Sequence, residues 1–195
     1  MSGATTPAEQ EIACQQVLTE DFSVFSIQWM TISQSLAAGV SPDLLLDRYL
    51  SFIRRFTRSL VRPQVTAGGV EFRVLWLPVS LISFMAPVRQ RDEQGESLSL
   101  VIRGGALVRT GGGDLSFLVG KDNGGVRLTL RLAGSRPRLL GSTPSSIRKL
   151  FYRFTQAYIH RVATVRFLAG VHGELAGVPA CVRIVPVNVM HGEEI

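Results

Sequence analysis

Residues 143–170, TPSSIRKLFYRFTQAYIHRVATVRFLAG, decide how this chain reads. Thr143 is a favoured N-cap, and Pro144 suits the first helical position, where its missing N–H costs nothing and its fixed φ is already helical. From Ile147 the residues Leu150, Phe151, Phe154, Tyr158, Val162, Val165 and Leu168 recur at three- and four-residue steps. Such spacing lays one broad apolar stripe along a helix that Gly170 ends. Lys149, Arg153, Gln156 and His160 occupy the other side, which reads as a solvated basic face. Arg161 falls on the stripe's margin, so its guanidinium either snorkels outward or finds an acceptor. One reading packs the stripe on a sheet. The other makes it the wall of an apolar pocket, with Phe151, Phe154 and Tyr158 supplying surface and Arg161 or Arg103 anchoring a polar head.

Working upstream from the helix, Val126, Leu128, Leu130 and Leu132 alternate with Arg127, Thr129 and Arg131, the pattern of a half-buried antiparallel strand. Asn123-Gly124 is the pair that tight hairpins favour, and it links this strand to another over Asp114 to Val119. The glycines at 111 to 113 are followed by neither a helix nor Gly-Lys-Ser/Thr, so they read as a reversal rather than a phosphate loop. Further strands are expected over Val70 to Leu77, Val79 to Val88 and Leu98 to Arg109, with Arg89 to Glu96 as a charged loop. Gly104-Gly105 marks a bulge or a close backbone approach. Beyond the helix, Val171 to Gly177 reads as a loop. Val178 to Met190 then reads as an edge strand, because of Pro179 and Pro186.

At the other end, residues 1 to 8 are small and polar, and Glu9 to Glu20 fits a short helix. Phe22 to Leu36 fits both periods, with the helical one favoured in its second half. Ser41-Pro42-Asp43 opens a clear helix running to Arg62-Pro63. Leu45, Tyr49, Phe52, Phe56 and Leu60 fall on one side of it, and Arg48, Arg54, Arg55, Arg58 and Arg62 on the other. That arginine face is either a solvated exterior or a surface for phosphates, on nucleic acid or on an anionic membrane.

The chain divides into a flexible segment 1–21, a single α+β domain 22–190 and a tail 191–195. With 195 residues and 46% apolar content it has material for one core. It contains no run of eighteen apolar residues and no basic-then-apolar leader at Met1, so a cytoplasmic protein is expected. The first 47 residues hold six acids and no Lys or Arg, which leaves 21 cations against nine acids after them. Nineteen of the cations are arginines, so codon bias competes with a binding surface as their explanation. Cys14 and Cys181 match no metal spacing and read as buried free thiols; His160, His172 and His191 form no spaced set. No metal and no cofactor is expected.

Helical material, then an antiparallel meander, then one long C-terminal helix describes a curved sheet wrapped on that helix. The order resembles the helix-grip fold of the START, Bet v 1 and polyketide-cyclase superfamily. The local likeness lies in the run from Leu128 through Ser135-Arg136-Pro137 into Ile147-Arg148-Lys149-Leu150-Phe151-Tyr152, where the last strand ends at a proline and enters the closing helix. The resemblance covers about residues 22 to 170 and implies an apolar cavity between sheet and helix, used across the superfamily for greasy ligands and in some members for cyclisation. Two features depart from it, the further strand at Val178 to Met190 and the length of the helix over 41 to 62.

These residues leave several functions open. The favoured one is a non-enzymatic protein whose cavity takes a hydrophobic or amphipathic small molecule. An interaction protein would instead dock the arginine face on an anionic partner, and a structural subunit would bury its apolar strands on another chain or a second copy. An enzyme has the least support, because the acids of the strand region fall at turns and His160 falls on the solvated face.

Overall fold

The computed structural model describes residues 9–75, 77–141 and 145–195. Eleven strands form one mixed sheet among them: β1 (Glu9–Leu18), β2 (Val24–Ile32), β3 (Val61–Thr66), β4 (Gly69–Val74), β5 (Ser80–Phe84), β6 (Val88–Arg91), β7 (Gly95–Gly104), β8 (Asp114–Asp122), β9 (Gly125–Ser135), β10 (Cys181–Pro186) and β11 (Glu193–Glu194). Their spatial order is β10-β1-β2-β9-β8-β7-β5-β4-β3, with β11 on β1 and β6 on β7. Pairing is antiparallel except between β1 and β10, which run parallel. The class is α+β, as the sequence implies.

One face of the sheet is apolar by strict alternation. Leu98, Leu100 and Ile102 of β7, Phe117 of β8 and Leu128 and Leu130 of β9 are buried against helix α1 (Pro42–Phe56) and helix α3 (Tyr158–Ala176). Tyr49 of α1 keys the layers together, its ring edge-on to Phe117 at 5.5 Å and to Phe167 of α3 at 5.2 Å. The other face is polar. There Arg127 lies over the Trp29 ring and pairs with Asp122, while Arg131 pairs with Asp114.

Several segments depart from the expectation. The segment expected as a helix over Glu9 to Glu20 is strand through Leu18. β1 sits between β2 and β10 with Ile12 and Val17 buried, so cross-strand pairing on both edges overrides the helical spacing. The second half of Phe22 to Leu36 is likewise strand through Ile32. Only one helix precedes the meander among the described residues, and it stops at Phe56. Arg58 and Ser59 take φ of 51° and 63°, a left-handed turn that no helix can continue through. β3 then begins at Val61, and Pro63 is tolerated in it because β3 is the sheet's edge. The start of the expected charged loop, from Arg89 to Arg91, is strand instead, pairing with β7 as part of β6. The C-terminal edge strand is present as β10.

The closing helix is long but not uniform. Thr143 and Pro144 lie outside the described residues, and Ser145 caps the helix by accepting from Arg148 N at 3.3 Å. Helix α2 (Ser146–Tyr152) passes through a π turn over Arg153–Ala157 into α3. Gly170 does not end it; the helix runs on through the expected loop to Ala176, and Gly177 closes it in the left-handed conformation.

The π turn adds one residue per turn and rotates everything upstream by about 100° relative to an unbroken α-helix. Tyr152 and Ala157 therefore face inward with Ala163, Phe167, Leu168 and Val171. Ile147, Leu150, Phe151, Phe154 and Tyr158, expected to be buried, are 55–80% exposed.

Candidate functional site

The rotated helix does not close tightly on the sheet. Between α1, the β3–β5 corner, the end of β9 and the π turn lies a cavity of about 240 Å³. Its walls are mostly hydrocarbon and aromatic: Ile53 and Phe56 from α1, Phe72 from β4, Ile82 from β5, Leu132 from β9. Each element presents these residues through its own periodicity, α1 by its apolar side and the strands by alternation. Among the described residues no Asp, Glu, Lys or Arg lines the cavity.

Its polar groups come partly from the helix above and partly from Thr57 after α1 and Ser135 at the end of β9. Gln156 lies in the π turn and His160 one turn further on, and both line the cavity. The Gln156 Oε1 atom is buried without a hydrogen-bond partner, a costly state for an amide oxygen that an incoming donor would relieve. Burial pushes the His160 imidazole down to about 4, so at neutral pH it is uncharged, with one donor and one acceptor nitrogen. The phenols of Tyr49 and Tyr152 also line the space, and burial raises both above their ordinary value. The site is thus apolar, neutral and bifunctional in hydrogen bonding.

The residues singled out in the sequence are distributed differently. Phe151, Phe154, Tyr158 and Arg161 are exposed on the outer side of the helix and do not line the cavity. Arg103 is also exposed, on β7, where its Nη2 donates to Gly68 O at 2.7 Å. His160 and Gln156, expected on a solvated face, instead form the cavity's polar wall. The signal that finds them is the second stripe at 152, 156, 160, 163 and 167. Gln156, His160 and the small Ala163 make it less apolar than the stripe actually exposed.

The five arginines expected on one helical face do not share one. Arg48 pairs with Glu174 at 3.5 Å, Arg58 lies in the left-handed turn, and Arg62 lies on β3 with its Nε buried. Arg54 and Arg55 remain exposed near the end of α1. Cys14 is a buried free thiol and Cys181 an exposed one. Among the described residues no set of His, Cys, Asp and Glu is placed to hold a metal, and no helix is long and apolar enough to cross a membrane.

Among solved structures the chain is similar to the crystal structure of CalU16 from Micromonospora echinospora, at 12% identity and a TM-score of 0.36 over 87% of this chain and 92% of that one. It is similar also to the solution NMR structure of CalU16, at 15% identity and a TM-score of 0.29 over 67% of this chain and 63% of that one. No protein-family model and no curated protein sequence matches the chain.

Proposed function

We propose that this chain is a binding protein whose cavity takes a small, uncharged, largely apolar molecule carrying at least one hydroxyl or N–H group. One observation carries the reading: the unpartnered, buried Gln156 Oε1 in a wall that is mostly hydrocarbon and aromatic and carries no charged side chain among the described residues. An amide oxygen in that position rewards a ligand donor, and the neighbouring neutral His160 offers a further acceptor or donor. An anionic head group would meet no cation in the lining, so ligands of the fatty-acid type are disfavoured. The cavity, at about 240 Å³, lies below the ~300–1,000 Å³ usual for ligand pockets, which favours a compact ligand over a long-chain one.

The resemblance to the helix-grip superfamily agrees with this reading, since that fold places greasy ligands between sheet and closing helix. Binding is favoured over catalysis by a magnitude. General acid–base groups work best with a pKa near the operating pH, and an imidazole titrating at about 4 is a weak base at neutrality.

Native mass spectrometry of the purified protein, against the same sample denatured, tests the reading. The expected result is an adduct lost on denaturation, and its mass identifies the ligand. Calorimetry with compact aliphatic and aromatic alcohols covers a ligand lost in purification, and Gln156→Leu should weaken binding by about tenfold. Absence of any adduct, together with no alcohol bound more tightly by the wild type than by Gln156→Leu, would falsify the reading.

A further inference from the structure

The outer side of the closing helix is the least expected surface of the molecule. Ile147, Leu150, Phe151, Phe154, Tyr158 and Ile159 form one stripe on it, each more than half exposed and Ile147 80% so. Scattered exposed apolar residues are ordinary, but six large ones in a row along one helix mark an interaction site. We propose that this stripe docks on an anionic membrane surface.

Charge selects the partner. No acidic residue occurs between Asp122 and Glu174, whereas Arg148, Lys149, Arg153, Arg161 and Arg166 all lie on the helix. Lys149 pairs with Glu193 and Arg166 lies over the Phe56 ring. Arg148, Arg153 and Arg161 are exposed, and no carboxylate partners them among the described residues. Apolar and aromatic residues interleaved with unpaired arginines on an exposed helix are the pattern of interfacial helices, with the rings in the acyl boundary and the guanidinium groups at the phosphates. A second copy fits less well, since a two-fold contact through this stripe would bring the unpaired arginines of one copy close to those of the other. A nucleic acid would engage the arginines but leave the aliphatic Ile147, Leu150 and Ile159 without a matching surface.

The docking surface adjoins the cavity, because Ile159 belongs to both. A membrane-seated protein would therefore hold its cavity wall at the bilayer. The docking inference does not rest on ligand binding, and Gln156→Leu should leave it unchanged.

Sedimentation of the full chain with vesicles tests it. Vesicles of phosphatidylcholine with about 30% phosphatidylserine should carry the protein down at low salt, and pure phosphatidylcholine vesicles should carry down far less. Phe151→Ser with Phe154→Ser should weaken binding by about tenfold or more. Arg153→Gln and Arg161→Gln should each weaken it by about fivefold, from roughly 1 kcal/mol per basic residue near an anionic surface. These side chains are exposed, so circular dichroism and thermal midpoints should match the wild type. Absence of binding to either vesicle overturns the proposal, as does binding that the serine pair leaves intact. A wild-type dimer that Phe154→Ser converts to monomer in light scattering overturns it in favour of a second copy.

Discussion

Gln156 and His160 sit one turn apart on the closing helix and both line the cavity, on either side of the point where the π turn hands over to α3. Neither is held by another side chain among the described residues, so both are set by the helix alone. A half-buried imidazole against this apolar lining takes up a proton less readily than in the unfolded chain, and that has a measurable sign.

The folded-state pKa of His160 is depressed to about 4 from an ordinary 6.5, and no carboxylate lines the cavity to offset the cost of charging it. The unfolded chain therefore binds the proton first as pH falls. His160 penalises the folded state not at all above pH 6.5, progressively between 6.5 and about 4, and by at most ~3 kcal/mol below that. Urea denaturation across this window should show stability falling with pH in the wild type and a flatter profile in His160→Leu. Asp21, held well below the usual carboxylate range by Thr19 and Arg136, titrates lower and does not confuse the comparison. Parallel profiles for the two proteins would mean that water already solvates the imidazole.

Tyr49 should divide packing from polarity. Its ring meets Phe117 and Phe167 edge-on, so Tyr49→Ala removes the contact between helix layer and sheet and should cost about 3–5 kcal/mol in chemical denaturation. Tyr49→Phe keeps the ring and should stay within about 1 kcal/mol. A large loss for the phenylalanine variant would instead assign a structural role to the hydroxyl.

Much of the fold could be read from local chemistry alone. Ser41-Pro42-Asp43 starts α1 as expected, the Ser41 Oγ accepting from Leu44 N at 3.2 Å, and Asn123-Gly124 turns β8 into β9. Alternation from Val126 to Leu132 gave β9 its correct faces. Failures arose where a long-range partner decides. β1 reads as helix until β2 and β10 flank it, and Arg58 and Arg62 leave the helical face because a left-handed turn intervenes. The candidate site was legible only in outline: the helix over an apolar interior was expected, but Gln156 and His160 were assigned to its wet side. Nothing in RFTQA announces a π turn, whose extra residue turns the helix upstream of it by about 100°.

Gly69 tests the hairpin that supports one end of the cavity. It opens β4 at φ +134°, and a Cβ there would collide with Phe84 O on the neighbouring chain segment. Gly69→Ala combines a backbone conformation disfavoured for L-residues with a clash against backbone that cannot step aside. The expected loss exceeds about 3 kcal/mol, while Gly124→Ala, where nothing lies within 4 Å, should cost clearly less. Thermal midpoints of the two variants decide it, and equal effects would show that β4 can shift to make room.

The orientation of the closing helix is the point on which the cavity and the membrane surface both depend. If Ile147 and Phe154 lie outside, at 80% and 71% exposure, truncating either to Ala removes little buried surface and should change stability by no more than about 0.5 kcal/mol. Phe167, 2% exposed beneath the same helix, should cost about 3–5 kcal/mol on the same substitution. An unbroken α-helix, with the stripe inward as its spacing suggests, predicts that Phe154→Ala is the costly variant among residues 147 to 158. Chemical denaturation of these three proteins therefore measures the phase of the helix directly. A large loss for Phe154→Ala would return the aromatic stripe to the core and remove Gln156 and His160 from the cavity wall.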